Sequence, residues 1–167
     1  MNRPVPIPRG PGQESVWNYP RPPRAEPTPK EVIVTLGGEV ICKTTEVVRV
    51  LETSHPPVYY LPLKDFRHGA LRPIAGAKSF CEWKGVARYF DVVGGGQIRP
   101  KAGWSYPEPS TPEMHLIRGF VALYARLMDS CTVNGELVIP QPGLFYGGWI
   151  TRDVVGPFKG EPGTEFW

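Results

Sequence analysis

Long apolar runs are missing from this 167-residue sequence, and no stretch approaches the roughly 18 consecutive apolar residues of a membrane-spanning helix. The N-terminus carries Pro and Arg where a secretory signal needs an apolar core, so a soluble, cytoplasmic protein with no membrane partner is expected. Cysteine is scarce. Cys42, Cys81 and Cys131 are odd in number, far apart and without a CxxC pair, which argues against a disulfide framework or a cysteine-rich zinc site. Excess charge is also lacking: the formal net charge is +3, and the Lys and Arg residues are scattered rather than gathered into a run. Nucleic acid is therefore not expected as the main partner. What the chain has in quantity is 21 prolines and 19 glycines, well above the usual shares of about 5% and about 7%. Such usage breaks helices and makes turns, so the fold should be mainly β.

Three regions follow from composition. Residues 1–30 hold many of the prolines and no aliphatic run, which predicts an extended or disordered arm, with Trp17 and Tyr19 as its only docking groups. Residues 31–140 should form the β domain. There EVIVTL, Gly37-Gly38 and EVICKT make a hairpin signal, and CTV, Asn134-Gly135 and ELVIP make a second. Between them the pattern predicts strands over residues 46–52, 58–60, 79–83, 86–92, 97–104 and 120–124, with Gly94–Gly96 as a hairpin loop and Gly85 as a sharp corner. Residues 141–167 carry Phe145, Tyr146, Trp149, Phe158, Phe166 and Trp167, and an extension this aromatic is expected to pack on the domain.

The stretch SHPPVYYLPLKDF, residues 54–66, concentrates the groups suited to chemistry. Pro56 and Pro57 hold His55 on stiff, extended backbone, and an imidazole can give or take a proton near neutral pH. Alternation sends Tyr59 and Tyr60 to opposite faces, so one should pack in the core while the other faces a cavity. Asp65 suits a turn cap or a partner for His55 or Lys84. Cys81 is either a small apolar strand residue or a thiol near the Lys84 ammonium, while Lys84, at the Gly85 corner, suits an anion or carbonyl contact. Trp104 and Tyr106 share one side of an extended segment and fit an aromatic wall. His55, His68 and His115 lack the short spacing of a zinc motif, and no metal or cofactor is identified by any motif.

In order, HPPVYYLPLKD, FCEWKGVARYF, AGWSYPEP and FVALY resemble the family known as domain of unknown function 427 (DUF427), over roughly residues 31–138. The resemblance implies a small β-barrel of the Mss4-like, or β-tent, kind. The tail, with its VVGPFKGEPGT run, is similar to a cyanobacterial-type long form of that family. Glu82 stands where the commoner motif has proline, CPxKG. The family name is also paired with a nucleotidyltransferase label, yet Gly94–Gly96 is not followed by a helix that could cradle phosphate. The combined expectation is a domain binding an unknown small molecule in a pocket of His55, Tyr59, Lys84, Trp104 and Tyr106, with acid-base catalysis by His55 and Lys84. The alternatives are a non-catalytic interaction module, a homo-oligomer through the terminal extensions included, and nucleotidyl transfer.

Overall fold

The computed structural model describes residues 3–167, Ala77 by its backbone alone. In chain order, β1 (Glu14–Ser15) and β2 (Arg24–Thr28) precede the first hairpin, β3 (Val32–Leu36) with β4 (Glu39–Thr44). Next come β5 (Val47–Leu51) and β6 (Val58–Pro62), then the meander β7 (Leu71–Cys81), β8 (Gly85–Gly94) and β9 (Gln97–Ser105). They are followed by β10 (Phe120–Leu123), the hairpin β11 (Ser130–Val133) with β12 (Glu136–Leu137), and the short strands β13 (Ile139–Pro140), β14 (Trp149–Ile150) and β15 (Val154–Val155). Helical structure among the described residues is confined to short 3-10 turns, as the proline and glycine content requires.

Two open sheets carry the fold. Seven strands run in the order β2-β5-β6-β10-β9-β8-β7, and four run in the order β12-β11-β3-β4. The expected closed barrel is not formed, because β2 and β7 end the larger sheet as free edges instead of pairing with each other. Both sequence-marked hairpins use the turns that their residues demand, with positive φ at Gly37-Gly38 and at Asn134-Gly135. The glycine run at 94–96 has a packing cause. A Cβ on Gly95 would collide with the backbone of Gly37, so the tips of the two hairpins press together main chain to main chain.

The main core lies between the sheets, where Val32, Val34 and Leu36 meet Tyr59, Leu61, Val121 and Leu123. The opposite face of the larger sheet carries a second cluster, in which Tyr60, Ala122 and Tyr106 pack with Met114 and Ile117 of a 3-10 turn. That face is only partly covered, and the uncovered part is the candidate site.

The ends of the chain differ from the expected arm and extension in their depth of involvement. Arg24–Thr28, assigned from composition to the arm, is the edge strand of the larger sheet, and Pro27 sits there without interrupting it. Proline is tolerated on a sheet edge because its missing N–H costs no ladder bond there. β1 pairs in parallel with β15, and Val16, Trp17 and Tyr19 form a third cluster with Leu51 and Val154. Trp149 is fully buried in the main core, stacked on Tyr59 at 5.0 Å between ring centres.

A candidate ligand pocket on the larger sheet

The floor of the site is set by strand register. Val48, Tyr60, Ala122, Trp104 and Tyr89 are successive cross-strand partners over β5, β6, β10, β9 and β8, so all five side chains stand on one face. Tyr59, one residue from Tyr60, projects to the other face and belongs to the core with Trp149. The expectation that Tyr59 lines the pocket is thus corrected: alternation required one tyrosine on each side, and the cross-strand partners decide that Tyr60 is the pocket residue.

The cavity above this floor has a volume of about 720 Å³ and is lined by His55, Tyr60, Cys81, Lys84, Trp104 and Tyr106 among others. A further expectation fails on position. Asp65 ends the 3-10 turn Leu63–Asp65 that follows β6 and is not among the lining residues. The turn carries the chain toward β4, where Phe66 bridges to Cys42, so Asp65 can orient neither His55 nor Lys84. Asp65 makes no side-chain hydrogen bond among the described residues either, and the turn is capped by backbone alone.

Lys84 is presented by a held corner. β7 and β8 join through residues 82–84, and Gly85 has a φ of 99°, which a residue with a side chain adopts only under strain. A Cβ there would also lie 2.8 Å from the Glu108 carbonyl oxygen. The loop opposite grips the turn, since Ser110 Oγ donates to Glu82 O at 3.1 Å and Thr111 Oγ1 donates to Trp83 O at 2.8 Å. The Lys84 ammonium lies 5.8 Å from the centre of the Tyr106 ring and makes no salt bridge among the described residues. Cys81, half-buried at the other end of the turn, is the only one of the three cysteines with any access, for Cys42 and Cys131 are buried. Burial pushes both of those thiols up to about 12.

His55 is fixed by a residue that sequence reading passed over. Gln141 Oε1 accepts from the Gly148 N–H at 2.9 Å, which sets the orientation of the amide. Its Nε2 then donates to Lys159 O at 2.8 Å and to His55 Nδ1 at 3.1 Å. Nδ1 is therefore the acceptor, and the ring proton sits on Nε2. Burial, with the charges of Lys159, Lys84 and Arg21, lowers the imidazole to about 4. Although Glu52 Oε2 lies 3.9 Å from Nε2, the histidine is neutral at physiological pH, so this contact is neither an ion pair nor a direct hydrogen bond.

The tail supplies the remaining wall. Gln141, Phe145, Tyr146, Gly147 and Lys159 all line the cavity. Gly147 lies so close to Trp104 that a Cβ would enter the indole ring. Tyr146 packs edge-on against His55 with centres 5.2 Å apart, and the Tyr124 hydroxyl donates to Phe145 O at 3.1 Å. Deep in the site, the Tyr60 hydroxyl is buried without a hydrogen-bond partner. Tail residues were invisible as site residues in the sequence because they reach the pocket from across the fold. The one available signal was a polar Gln141 within an otherwise apolar and glycine-rich run.

Among the described residues, no three His, Cys, Asp or Glu side chains gather in a way that could hold a metal ion, and both His68 and His115 are exposed. A comparison with curated proteins found no match. A family model does match residues 24–134, two thirds of the chain and all seven strands of the larger sheet, and by that match the chain belongs to the domain of unknown function family DUF427.

Proposed function

We propose that this protein binds a small organic molecule in the cavity on the outer face of its larger sheet. The observation that carries the reading is the gathering of His55, Tyr60, Cys81, Lys84, Trp104 and Tyr106 around one space of about 720 Å³, well within the range of ligand sites. Lys84 contacts an anionic or carbonyl oxygen of the ligand, and Trp104 supports its flat face. His55 acts through its Nε2–H as a hydrogen-bond donor. A base function would require Nδ1 to be protonated against the Gln141 amide, so any catalysis here polarises a carbonyl instead of removing a proton through His55. The two-sheet arrangement, with a pocket on the outer face, is what kinship with the β-tent folds would supply as a scaffold.

Cys81 gives a direct test. It is the accessible thiol and it lines the pocket. Compounds that raise the melting temperature in a screen should slow alkylation of Cys81 by iodoacetamide at least several-fold. If stabilising compounds leave that rate unchanged, they bind elsewhere and the pocket reading fails.

An interaction module built on the terminal extensions is less well supported, because Trp17, Tyr19 and Trp149 are turned inward. Nucleotidyl transfer loses its best sequence feature, since Gly95 is packed against Gly37 and offers no open phosphate cradle. ATP with Mg²⁺ is expected to produce no thermal shift.

A further inference from the structure

The uncommitted polar groups of the cavity are strongly one-sided. His55 Nε2–H has no acceptor within hydrogen-bond distance, because Nδ1 takes the Gln141 bond and Glu52 stands at 3.9 Å. The Lys84 ammonium has no carboxylate partner among the described residues and rests only over the Tyr106 ring. Three other polar groups of the lining already have partners. Tyr89 shares a 2.7 Å hydrogen bond with Ser79, Tyr124 donates to Phe145 O, and Lys159 donates to Trp167 O at 3.3 Å. Of the lining carboxylates, Glu82 is exposed on the turn and Glu52 is half-buried beside His55. No arginine lines the cavity among the described residues, so the forked donor that favours phosphate is not part of it.

The shape of the floor adds a second constraint. Trp104 stands in register with Ala122 and Tyr60, both completely buried in the second cluster, so the half-exposed Trp104 indole is the flat part of the floor that stays open. Tyr106 and Tyr146 close the sides. A flat body fits such a seat, and an acceptor group on its end meets the free donors.

We propose that the ligand is a planar organic monoanion, an aromatic or conjugated carboxylate, seated on Trp104 with its carboxylate held by the Lys84 ammonium and the His55 Nε2–H. This rests on the reading of the cavity as a small-molecule site and narrows it to a class. The carboxylate accepts from both donors. Cations are rejected because Lys84 meets them with like charge. Polyphosphates are rejected because one ammonium and one imidazole N–H cannot satisfy their oxygens.

The test uses the full chain and four probes followed by titration calorimetry at pH 7.5: trans-cinnamate, its neutral amide, cinnamylamine and inorganic phosphate. Cinnamate is expected to bind saturably, the amide at least about tenfold more weakly (~1.4 kcal/mol), and the amine and phosphate not detectably. Lys84→Met should weaken cinnamate far more than the amide and so erase the preference for the anion, and Lys84→Arg should retain that preference. Equal binding of cinnamate and amide, preference for the amine, phosphate binding as tightly as cinnamate, or indifference of cinnamate to Lys84→Met overturns the class. If neither cinnamate, amide nor amine binds, the small-molecule reading of the cavity falls with it. Binding of the amide or amine without preference for the anion overturns only the class.

Discussion

A histidine whose Nδ1 already accepts a hydrogen bond can gain its second proton only by breaking that bond. At His55 the acceptor role is enforced from outside the ring, since the Gly148 N–H fixes which end of Gln141 faces it. Burial and the nearby cations act in the same direction, and the imidazole is lowered to about 4 from an ordinary value near 6.5. The sign of the linkage follows. Between pH 6.5 and 4 the unfolded chain binds a proton at this position and the folded protein does not, so stability contributed by neutral His55 is complete above about pH 6.5 and is lost as pH falls toward 4. The upper bound on that loss is roughly 3 kcal/mol. Urea denaturation at pH 7 and pH 4.5 should show a drop for the native sequence that is smaller by about 2 kcal/mol in His55→Gln. Other carboxylates add their own acid sensitivity, and the difference between the two proteins isolates the histidine. Equal drops would mean that His55 ionises freely in the fold.

At the scale of the element, the β7–β8 corner has one task, to hold Lys84 beside Cys81 and over the cavity. Gly85→Ala places a side chain at a φ of 99° and against the Glu108 carbonyl, so the variant should lose roughly 1–3 kcal/mol in chemical denaturation. It should also alkylate faster at Cys81, because the grip of Ser110 and Thr111 on the turn is disturbed. A slower or unchanged rate would show that the corner does not position the site. This corner was legible in the sequence, as were both hairpins, because glycine pairs between β-branched runs carry local turn information. The start of the larger sheet was not. Pro27 in β2 reads as arm because proline disfavours a central strand, and only the pairing with Val48 shows that the strand lies on an edge. Residues 67–78 read as turn-rich from His68-Gly69 and Gly76, yet from Leu71 on they belong to β7, which accommodates Gly76 through a register shift between Pro73 and Lys78. Within the site, local sequence placed His55 and Lys84 on stiff backbone but could not assign Tyr59 and Tyr60 to faces. That assignment depends on β10 and β9, some forty to sixty residues away in the chain. Gln141 and Lys159 were out of reach for the same reason.

For the whole molecule, the two ends of the chain and the pocket form one connected structure. Arg49, buried on the face opposite the pocket floor, donates to Glu14 of the arm at 3.1 Å and to Glu26 of the edge strand, while the Tyr19 hydroxyl donates to Glu14 at 2.7 Å. Burial alone would raise the Glu14 carboxyl, but these hydrogen bonds outweigh it and hold the group below its ordinary value. The arm then grips the tail: β1 pairs with β15, the Trp17 indole N–H donates to Pro157 O at 2.9 Å, and Trp17 meets Trp167 edge-on at 5.5 Å. From there the tail runs to Lys159 and Gln141, which fix His55. Arg49→Met removes the charge that unites the arm with the sheet, leaving two carboxylates that are partly exposed and can regain water, at a cost of roughly 1–3 kcal/mol. Trypsin should then cut sooner at Arg24, which precedes Ala25, and because the arm holds the tail, alkylation of Cys81 should quicken in the same variant. Faster proteolysis with an unchanged Cys81 rate would separate the arm from the pocket and break this chain of contacts between Pro157 and Gln141.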